Sequence, residues 1–457
     1  MKRNRRDLTE GPLLSGIIAY TVPIILTSVL QLLFNAADLV VVGRFRGSLA
    51  VGAVGATGSL TNLIVNLFIG LSIGAGVCVA HAIGAKQEKQ LHRIIHTTLF
   101  VALAGGALLT VIGVSCSGLF LRLMDTPPDI FPMSATYMRI YFCGITFTMV
   151  YNFCAAILRA AGDTRGPLIY LTISGVLNVV LNLFFVVICG MSVEGVALAT
   201  IISQTVSAVL VVRALMHRTD GCHLDLGQIL PHRAQLIRIL RIGLPAGIQG
   251  SLFAASNVII QSSINSFGDT VVAGNAAAAN IEGFVYVAMN AFYQTAINYT
   301  GQNAGAQRYD RVKKVVLLCS ICVSVTGLLL GGGIFLAAKP LLSIYITDSP
   351  EAIAYGITRM MFVGLPYFLC GLMEVSTGGL RGLGSSLAPM IISVLGVCGI
   401  RLGWIFTIFR NPAFHSLESL FFSYPVSWVF TLLVQMIAFV IIYRRHVKQS
   451  QQLPTHH

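Results

Sequence analysis

Charge is what this sequence has least of. Only 10% of its 457 residues are Asp, Glu, Lys or Arg, whereas 55% are hydrophobic. A soluble protein of this length would carry about a quarter charged residues. The composition therefore excludes a soluble globular protein and indicates a polytopic membrane protein. The formal net charge of +13 does not indicate nucleic-acid binding, because the basic residues are spread over short breaks between apolar segments and form no single patch.

Motifs of several other protein classes are also missing. The Gly-rich turns before Asp163 and Ser385 lack the GK[ST] element of a nucleotide-binding loop, so the sequence carries no ATPase signal. Cys319 and Cys322 form a CxxC pair without a second CxxC or a His cluster, and we interpret them as packed small residues, not metal ligands. We expect no signal-peptide cleavage, because the first apolar segment is too long for a signal-peptide core.

What the sequence does have is apolar segments of membrane-spanning length. About 20 helical residues cross a hydrocarbon core of roughly 30 Å. Gly, Pro and charged residues separate twelve such segments. The predicted spans are 13–43, 51–80, 94–122, 133–158, 167–189, 193–215, 238–265, 275–301, 315–338, 355–380, 388–409 and 418–443. We therefore predict an all-α, multi-pass protein of the cell membrane.

The basic residues separate by side of the membrane. The amino terminus, the even-numbered loops and the carboxyl terminus hold most of the 30 Lys and Arg residues. Four of them, Lys2, Arg3, Arg5 and Arg6, precede the first span. Since Lys and Arg concentrate in cytoplasmic loops, we expect both termini to be cytoplasmic.

The two halves of the chain repeat each other. Pro23 matches Pro245 at an offset of 222 residues (245 − 23), and Asp125 aligns with Asp348. The segment LRAAGDTRGP (158–167) aligns with LRGLGSSLAP (380–389). The longest polar break separates the halves. We predict an N-terminal six-helix lobe (1–215), a cytoplasmic linker (216–237) and a C-terminal six-helix lobe with a cytoplasmic tail (238–457). A parallel repeat of this kind predicts lobes related by a pseudo-two-fold axis along the membrane normal.

One acid interrupts the first predicted span. Asp38 lies within PIILTSVLQLLFNAADLVVVG (23–43), where an aspartate costs on the order of 3 kcal/mol. Low dielectric disfavours the charged form, so binding of H⁺ or Na⁺ would relieve the cost and bias the helix between two shapes. The alternative is a carboxylate that only fixes helix packing through hydrogen bonds.

These features resemble the multidrug and toxic compound extrusion (MATE) family, and its bacterial DinF- and MepA-like branch in particular. The residues that carry the resemblance are the two six-helix halves, YTGQNAGAQRYDRVKK (299–314), the LRAAG and LRGLG turns, and Asn35-Ala-Ala-Asp38. The resemblance implies secondary-active efflux of organic, often cationic, compounds in antiport with H⁺ or Na⁺. It implies alternating access between the lobes and no enzymatic activity or other cofactor, and we expect a monomer.

The resemblance also implies polar partners for Asp38 in spans five and six. Asn178 and Thr200 match the family pattern, whereas Asn182 stands where some relatives have a second aspartate. An amide takes up no proton at physiological pH, so coupling in this half rests on Asp38 alone. A site of one carboxylate with amide and hydroxyl oxygens can bind H⁺ or Na⁺, so the sequence leaves the identity of the coupling ion open. The alternative for the asparagines is interhelical hydrogen bonding, worth about 0.6 kcal/mol each.

The C-terminal half is not a chemical copy of the N-terminal half. Two acids, Glu282 and Glu374, lie in apolar spans, and Arg401 lies near the place that matches Asn178. We hypothesise that Arg401 neutralises Glu374 in a structural ion pair. Glu282 would then be the more available acid, serving either cation attraction or packing.

A cavity for varied compounds needs adaptable, polarizable walls. The same side chains face lipid or neighbouring helices in many membrane proteins, and that alternative stays open. The candidates are Asn35, Asn257, Glu282, Tyr286, Met289, Tyr293, Tyr141 and Met149.

Two other functions compete with efflux. A flippase for a lipid-linked precursor would need a strongly cationic cavity. An integral membrane enzyme would need a His and an acid side by side near the interface. His81, His92 and His96 surround a basic loop with Glu88, and we interpret them as solvating that loop.

Overall fold

The computed structural model describes residues 7–347 and 349–452, without the side chains of residues 48, 59, 60, 62 and 63. The four basic residues at the amino terminus, and Asp348 of the predicted Asp125 pair, lie outside the described residues. Within them the chain is helical and contains no strand, which confirms the all-α class.

Fifteen α-helices occur in the described residues. They are α1 (Leu13–Arg46), α2 (Ser48–Gly84), α3 (Glu88–Leu123), α4 (Phe131–Ala160), α5 (Arg165–Leu183), α6 (Val193–Met216), α7 (Arg233–Asn265), α8 (Asp269–Gly305), α9 (Tyr309–Leu336), α10 (Ala338–Tyr345), α11 (Pro350–Arg359), α12 (Tyr367–Gly382), α13 (Leu387–Ser393), α14 (Ile400–Phe406) and α15 (Leu417–Gln452). Three π-helical turns continue α5, α11 and α13, at Phe184–Ile188, Met360–Gly364 and Val394–Gly399.

Twelve helical spans in the described part of the chain are long and apolar enough to cross a membrane. This confirms the predicted number. Two spans are composite, because π-helical turns join α11 to α12 and α13 to α14. Helical structure satisfies the backbone N–H and C=O groups within each span, as a hydrocarbon environment requires. The short α10 is an element that the sequence did not predict separately.

Backbone contacts group the chain into two units. Unit 1 contains Asp7 and Val22–Gly247, and unit 2 contains Leu8–Thr21 and the described part of Ile248–His457. The chain therefore changes unit inside α1, beside Pro23, and again inside α7, beside Pro245. The predicted limits 1–215 and 238–457 follow the sequence repeat. The contact units differ from them in two places, because the first turns of α1 belong to unit 2 and the first half of α7 belongs to unit 1.

In unit 2, the segment 299–314 holds Leu8 and Thr9, which precede α1. Gln302 Oε1 accepts a hydrogen bond from Leu8 N–H at 3.2 Å, and Asn303 Nδ2 donates to the Leu8 carbonyl at 3.0 Å. Arg308 Nη1 donates to the Thr9 carbonyl at 2.6 Å. The motif that contributed to the family resemblance is thus a structural one here.

In unit 1, glycines let α2 and the first half of α7 approach closely. A Cβ added to Gly70 would lie 2.1 Å from Gly247 N, and one added to Gly74 would lie 2.5 Å from Gly243 N. Only glycine fits such distances, and the four-residue spacing on both helices is typical of close-packed membrane helices.

The repeat is also visible in the backbone torsions. Residues with positive φ recur 221 residues apart (268 − 47 and 307 − 86) or 222 apart (384 − 162). The pairs are Gly47 with Gly268, Lys86 with Gln307, and Gly162 with Gly384. Gly162 and Gly384 lie in the LRAAG and LRGLG turns, where each follows a helix in a left-handed Schellman cap. The two turns thus repeat because each ends a helix in the same way.

Lys86 and Gln307 take the same left-handed cap without being glycine, with φ of 55° and 57°. A residue with a Cβ pays roughly 1 kcal/mol for that conformation. We therefore expect Lys86→Gly to raise the free energy of unfolding by about 0.5–1 kcal/mol, measured by thermal unfolding in detergent. Lys89→Gly is the control, since Lys89 lies in the first turn of α3 and glycine should lower stability there. Loss of stability in Lys86→Gly would contradict the cap assignment.

Candidate functional site

Asp38 lies half-buried on α1, at the wall of a small cavity in unit 1 of about 50 Å³. A bound water needs roughly 10–15 Å³ of such a cavity, whereas drug-sized ligands need several hundred. The cavity therefore has room for a few waters or one small cation, and it is too small to hold a drug-sized compound by itself. The lining residues come from α1, α5 and α6: Gln31, Phe34, Asn35, Asp38, Leu171, Ser174, Gly175, Asn178, Thr200, Ser203 and Gln204.

Asn182 of α5 links the polar groups of this site. Its Nδ2 donates hydrogen bonds to Asp38 Oδ1 and to Asn178 Oδ1, the latter at 3.3 Å. Asn182 is fully buried, and its Oδ1 has no partner. Asn178 and Asn182 share one face of α5 because they are four residues apart. The structure thus brings together the three polar residues that the sequence placed near each other.

Hydroxyl groups of α6 complete the site. Thr200 Oγ1 donates to the Val196 carbonyl at 2.9 Å, and Ser203 Oγ donates to the Thr200 carbonyl at 2.9 Å. Each hydroxyl oxygen keeps lone pairs that can accept a proton or approach a cation. One carboxylate, two amide oxygens and these hydroxyls make an all-oxygen donor set, which fits a proton or a hard cation such as Na⁺.

Two features near Asp38 were missed in the sequence. Gly175 makes room for Phe34, since a Cβ there would lie 1.8 Å from the Phe34 ring, and this brings α1 against α5. Tyr137 of α4 lies within electrostatic range of Asp38 and stacks on Tyr141, with ring centroids 6.2 Å apart. The four-residue spacing of the two tyrosines was the available signal, but only Tyr141 was singled out.

All three π-helical turns adjoin polar residues of the interior. One begins two residues after Asn182, one begins directly after Arg359, and one ends two residues before Arg401. Such turns are frequent at functional sites, because they re-aim side chains within an otherwise regular helix. They cannot be recognised from apolar periodicity.

The hypothesised ion pair between Glu374 and Arg401 is not formed. Arg359 instead donates from Nε and Nη2 to Glu282 Oε2, at 3.1 and 2.8 Å, and from Nη1 to Asn275 Oδ1 at 2.7 Å. The acid expected to be more available is thus the neutralised one. The prediction was wrong because α11, with Arg359 in its last turn, packs on α8 beside Glu282, a proximity that the linear sequence does not show.

Half of the predicted cavity residues are instead part of the packed interior. Met289 is fully buried, with its Sδ 2.5 Å from where a Gly371 Cβ would lie. Tyr293 is buried and its hydroxyl accepts a hydrogen bond from Arg381. Glu282 and Met149 are also buried. The remaining candidates keep more exposure, which leaves them available to a ligand or to lipid: Asn35, Asn257, Tyr286 and Tyr141.

The linker after α6 folds onto the start of α3. The buried His96 donates a hydrogen bond from Nδ1 to the His92 carbonyl at 2.7 Å, and its Nε2 accepts one from Asp225 N–H at 3.1 Å. The hydrogen bond from Gly227 N–H, aided by Gln228, lowers the pKa of Asp225. Because one ring nitrogen of His96 donates and the other accepts a hydrogen bond, its imidazole is neutral. His96 thus has a structural role and does not solvate the loop. No group of three or more potential ligands in the described chain could hold a metal ion.

The MatE family model matches this chain twice, at residues 23–184 and 245–406. The matches are equal in length and lie 222 residues apart (245 − 23), the offset of the two prolines, and together they cover more than half of the chain. The chain belongs to the MATE family. The double match also confirms the internal repeat of this MATE protein.

Relatives and solved structures agree with this assignment. The MATE chain is 27% identical over 425 residues to "Probable multidrug resistance protein YoeA" of Bacillus subtilis, covering 91% of each chain. It is 28% identical over 401 residues to "Probable multidrug resistance protein YpnP" of the same organism, covering 86% of this chain and 88% of the relative. A structure described as the outward-facing conformation of a multidrug resistance MATE family transporter matches with a TM-score of 0.88 at 20% identity, covering 97% of this chain and 98% of that one.

Membership of the MATE family decides two expectations from the sequence, the enzyme alternative and the multi-pass membrane topology. MATE proteins are transporters, so the integral membrane enzyme is not retained as an alternative. The twelve apolar spans of the described chain, together with the family, make this MATE protein a multi-pass membrane protein.

Proposed function

We propose that this chain exports small organic compounds of varied structure, and that it couples efflux to inward movement of H⁺ or Na⁺ through Asp38. The observation that carries the proposal is a single half-buried carboxylate on a cavity of about 50 Å³, which has room for an ion but not for a drug. The relatives' names support the multidrug part.

The proposed mechanism is alternating access. With the substrate site facing outward the compound leaves, and Asp38 takes up the ion. Neutralisation removes the cost of an unpaired charge in low dielectric, so the ion-bound protein favours return to the inward-facing state. We propose that α1 bends near Pro23 in this step, since proline removes a helical hydrogen bond. Reciprocity requires that ion and compound weaken each other's binding.

The remaining expectations complete the proposal. We propose that both termini are cytoplasmic, which the distribution of Lys and Arg supports. The halves 1–215 and 238–457 would move as lobes joined by the linker 216–237, and a monomer would suffice because one chain contains both halves. We expect cationic compounds among the substrates, to which Asn35, Asn257, Tyr286 and Tyr141 are the available candidates.

The flippase alternative receives little support. Among the described residues of unit 2, three arginines and two glutamates are buried, a formal excess of one positive charge. One uncompensated cation is not the strongly cationic interior that a lipid-linked diphosphate would need.

Energised vesicles test the coupling. Efflux of a fluorescent organic cation should fall to the passive rate when one gradient is collapsed, by a protonophore for H⁺ or by equal Na⁺ concentrations on both sides of the vesicle membrane for Na⁺. Collapse of the other gradient should leave efflux nearly unchanged. Efflux that survives the loss of both gradients would contradict secondary-active coupling.

A further inference from the structure

Two groups of exposed cations in unit 2 have no partner in the protein. Within the described part of the chain their side chains form neither an ion pair nor a hydrogen bond. The first group lies in the second turn of α9 and the second group lies near the end of α15. Together we call them the cationic surface, and its residues are Lys313, Lys314, Arg444, Arg445 and Lys448.

Packed side chains hold the two helix ends together. Tyr309 at the start of α9 stacks on His446 of α15, with ring centroids 6.1 Å apart. Further into the span, Gly379 of α12 lets the two helices converge, since a Cβ there would lie 2.9 Å from Val316 Cγ2 and 3.2 Å from Phe439 Cε2. The two groups of cations therefore lie on neighbouring helix ends and form one surface.

Both groups lie at the boundary of an apolar segment without charged residues. In α9 the segment 315–336 begins directly after Lys314, and in α15 the segment 420–443 ends directly before Arg444. Each segment is close to the length of about 20 helical residues that crosses the hydrocarbon core. The cationic surface thus lies at the depth of the lipid headgroups, where the phosphates of a bilayer are.

The helix dipoles do not account for these cations. A dipole attracts cations within the last turn of a helix, and α15 has no basic residue in its last turn. The positive end of the α9 dipole is its first turn, which holds an acid, Asp310. Asp310 is the acid of these two described helix ends, so the cationic surface keeps an excess of four positive charges (5 − 1).

Exposed apolar side chains continue the cationic surface into the membrane. On α9, Leu317 and Ile321 lie four and eight residues after the first of these cations and are 58% and 50% exposed. On α15, Ile437 and Ile441 lie eight and four residues before Arg445 and are 62% and 56% exposed. Because residues four apart share one face of a helix, each group of cations stands at the end of an apolar row. This arrangement fits an anion that carries hydrocarbon chains.

We propose that the cationic surface binds the headgroup of an anionic phospholipid, and that it prefers diphosphatidylglycerol. Clusters of about four to eight Lys and Arg beside a membrane span attract anionic lipids. Arginine binds a phosphate through two parallel hydrogen bonds, and lysine binds it as a point charge. Two groups of cations on neighbouring helices match the two phosphates of one diphosphatidylglycerol headgroup, and the apolar rows contact its acyl chains. The inference concerns the lipid around the protein and does not depend on the proposed efflux function.

Native mass spectrometry of the full chain, purified in detergent and freed of lipid, tests this surface. We expect the wild type to bind one tetraoleoyl diphosphatidylglycerol at least about tenfold more tightly than dioleoyl phosphatidylcholine. The four-residue variant should lose this preference and keep its affinity for phosphatidylcholine. Its replacements are Lys313→Gln, Lys314→Gln, Arg444→Gln and Arg445→Gln. Each pair of replacements on one helix should weaken diphosphatidylglycerol binding by at least about threefold, since one phosphate then lacks its cations.

A second variant removes the same number of exposed cations from unit 1 and is the matched control. Its replacements are Lys86→Gln, Lys89→Gln, Arg93→Gln and Arg165→Gln. It should keep the tight site, and an equal loss of binding in this control would show that net charge is responsible and overturn the proposal.

Unchanged diphosphatidylglycerol binding in the four-residue variant would overturn the proposal as well. Inorganic pyrophosphate has two phosphates without acyl chains, and displacement of the lipid by an equal concentration of it would show that the surface takes a soluble anion instead of a lipid. Thermal unfolding of both variants should stay within about 2 °C of the wild type, because the replaced residues are exposed. Should the four-residue variant fail to fold, the two pair variants decide.

Discussion

Asp38→Asn should abolish ion-driven efflux in vesicles while the protein stays folded and still binds its compounds. The amide has nearly the shape of the carboxylate but neither binds a proton nor attracts a cation, so the site behaves permanently as if neutralised. We expect efflux to fall at least about tenfold, to the passive rate. Removing an unpaired charge from low dielectric should also raise the free energy of unfolding, by about 1–3 kcal/mol.

Asp269→Asn is the matched control for this result. Asp269 lies in the first turn of α8 and is not one of the residues that line the unit 1 cavity, so its replacement should leave efflux near the wild-type rate. Compound affinity, measured without a gradient, should be weakened in Asp38→Asn, as it is by a bound ion, and should stay within about threefold of the wild type in Asp269→Asn. Ion-driven efflux at the wild-type rate in Asp38→Asn would show that coupling takes place elsewhere.

The Asp38 site was predictable because its signal is local. The acid is visible in its apolar span, and the four-residue spacing places the two amides on one face of a helix. That spans five and six hold the partners of Asp38 was implied by the family resemblance, and the structure brings Asp38, Asn178 and Asn182 together. Gly175 escaped notice because its role is to leave space for Phe34, and an empty volume has no sequence pattern of its own.

The charges of unit 2 were less predictable because pairing depends on how helices rotate against each other. Arg359 and Glu282 are far apart in sequence, and a π-helical turn directly after Arg359 changes the helical phase there. A regular helix, assumed from the sequence, gives no basis for choosing Arg359 over Arg401 as the neutralised arginine. The spans themselves were predictable, since their length and apolar character follow from the membrane alone.

The second large predicted effect is the loss of stability when the ion pair between Glu282 and Arg359 is broken. Replacing either residue alone leaves its partner charged, buried and unpaired, and we expect Glu282→Leu and Arg359→Met each to destabilise the protein by about 3–5 kcal/mol. The double variant removes both charges at similar volume and should lie within about 1–2 kcal/mol of the wild type, because neither desolvation cost remains. Unfolding of all four proteins in detergent gives the coupling energy.

The exposed pair of Arg308 and Glu10 provides the comparison for this cycle. Its atoms are 4.0 Å apart, with side chains 48% and 66% exposed, so Glu10→Gln should change stability by less than about 1 kcal/mol. Additive losses in the Glu282 and Arg359 cycle would mean that the ion pair does not hold α8 against α11. A strongly coupled result would instead identify Glu282 as a structural acid, which does not compete with Asp38 for the role of coupling carboxylate.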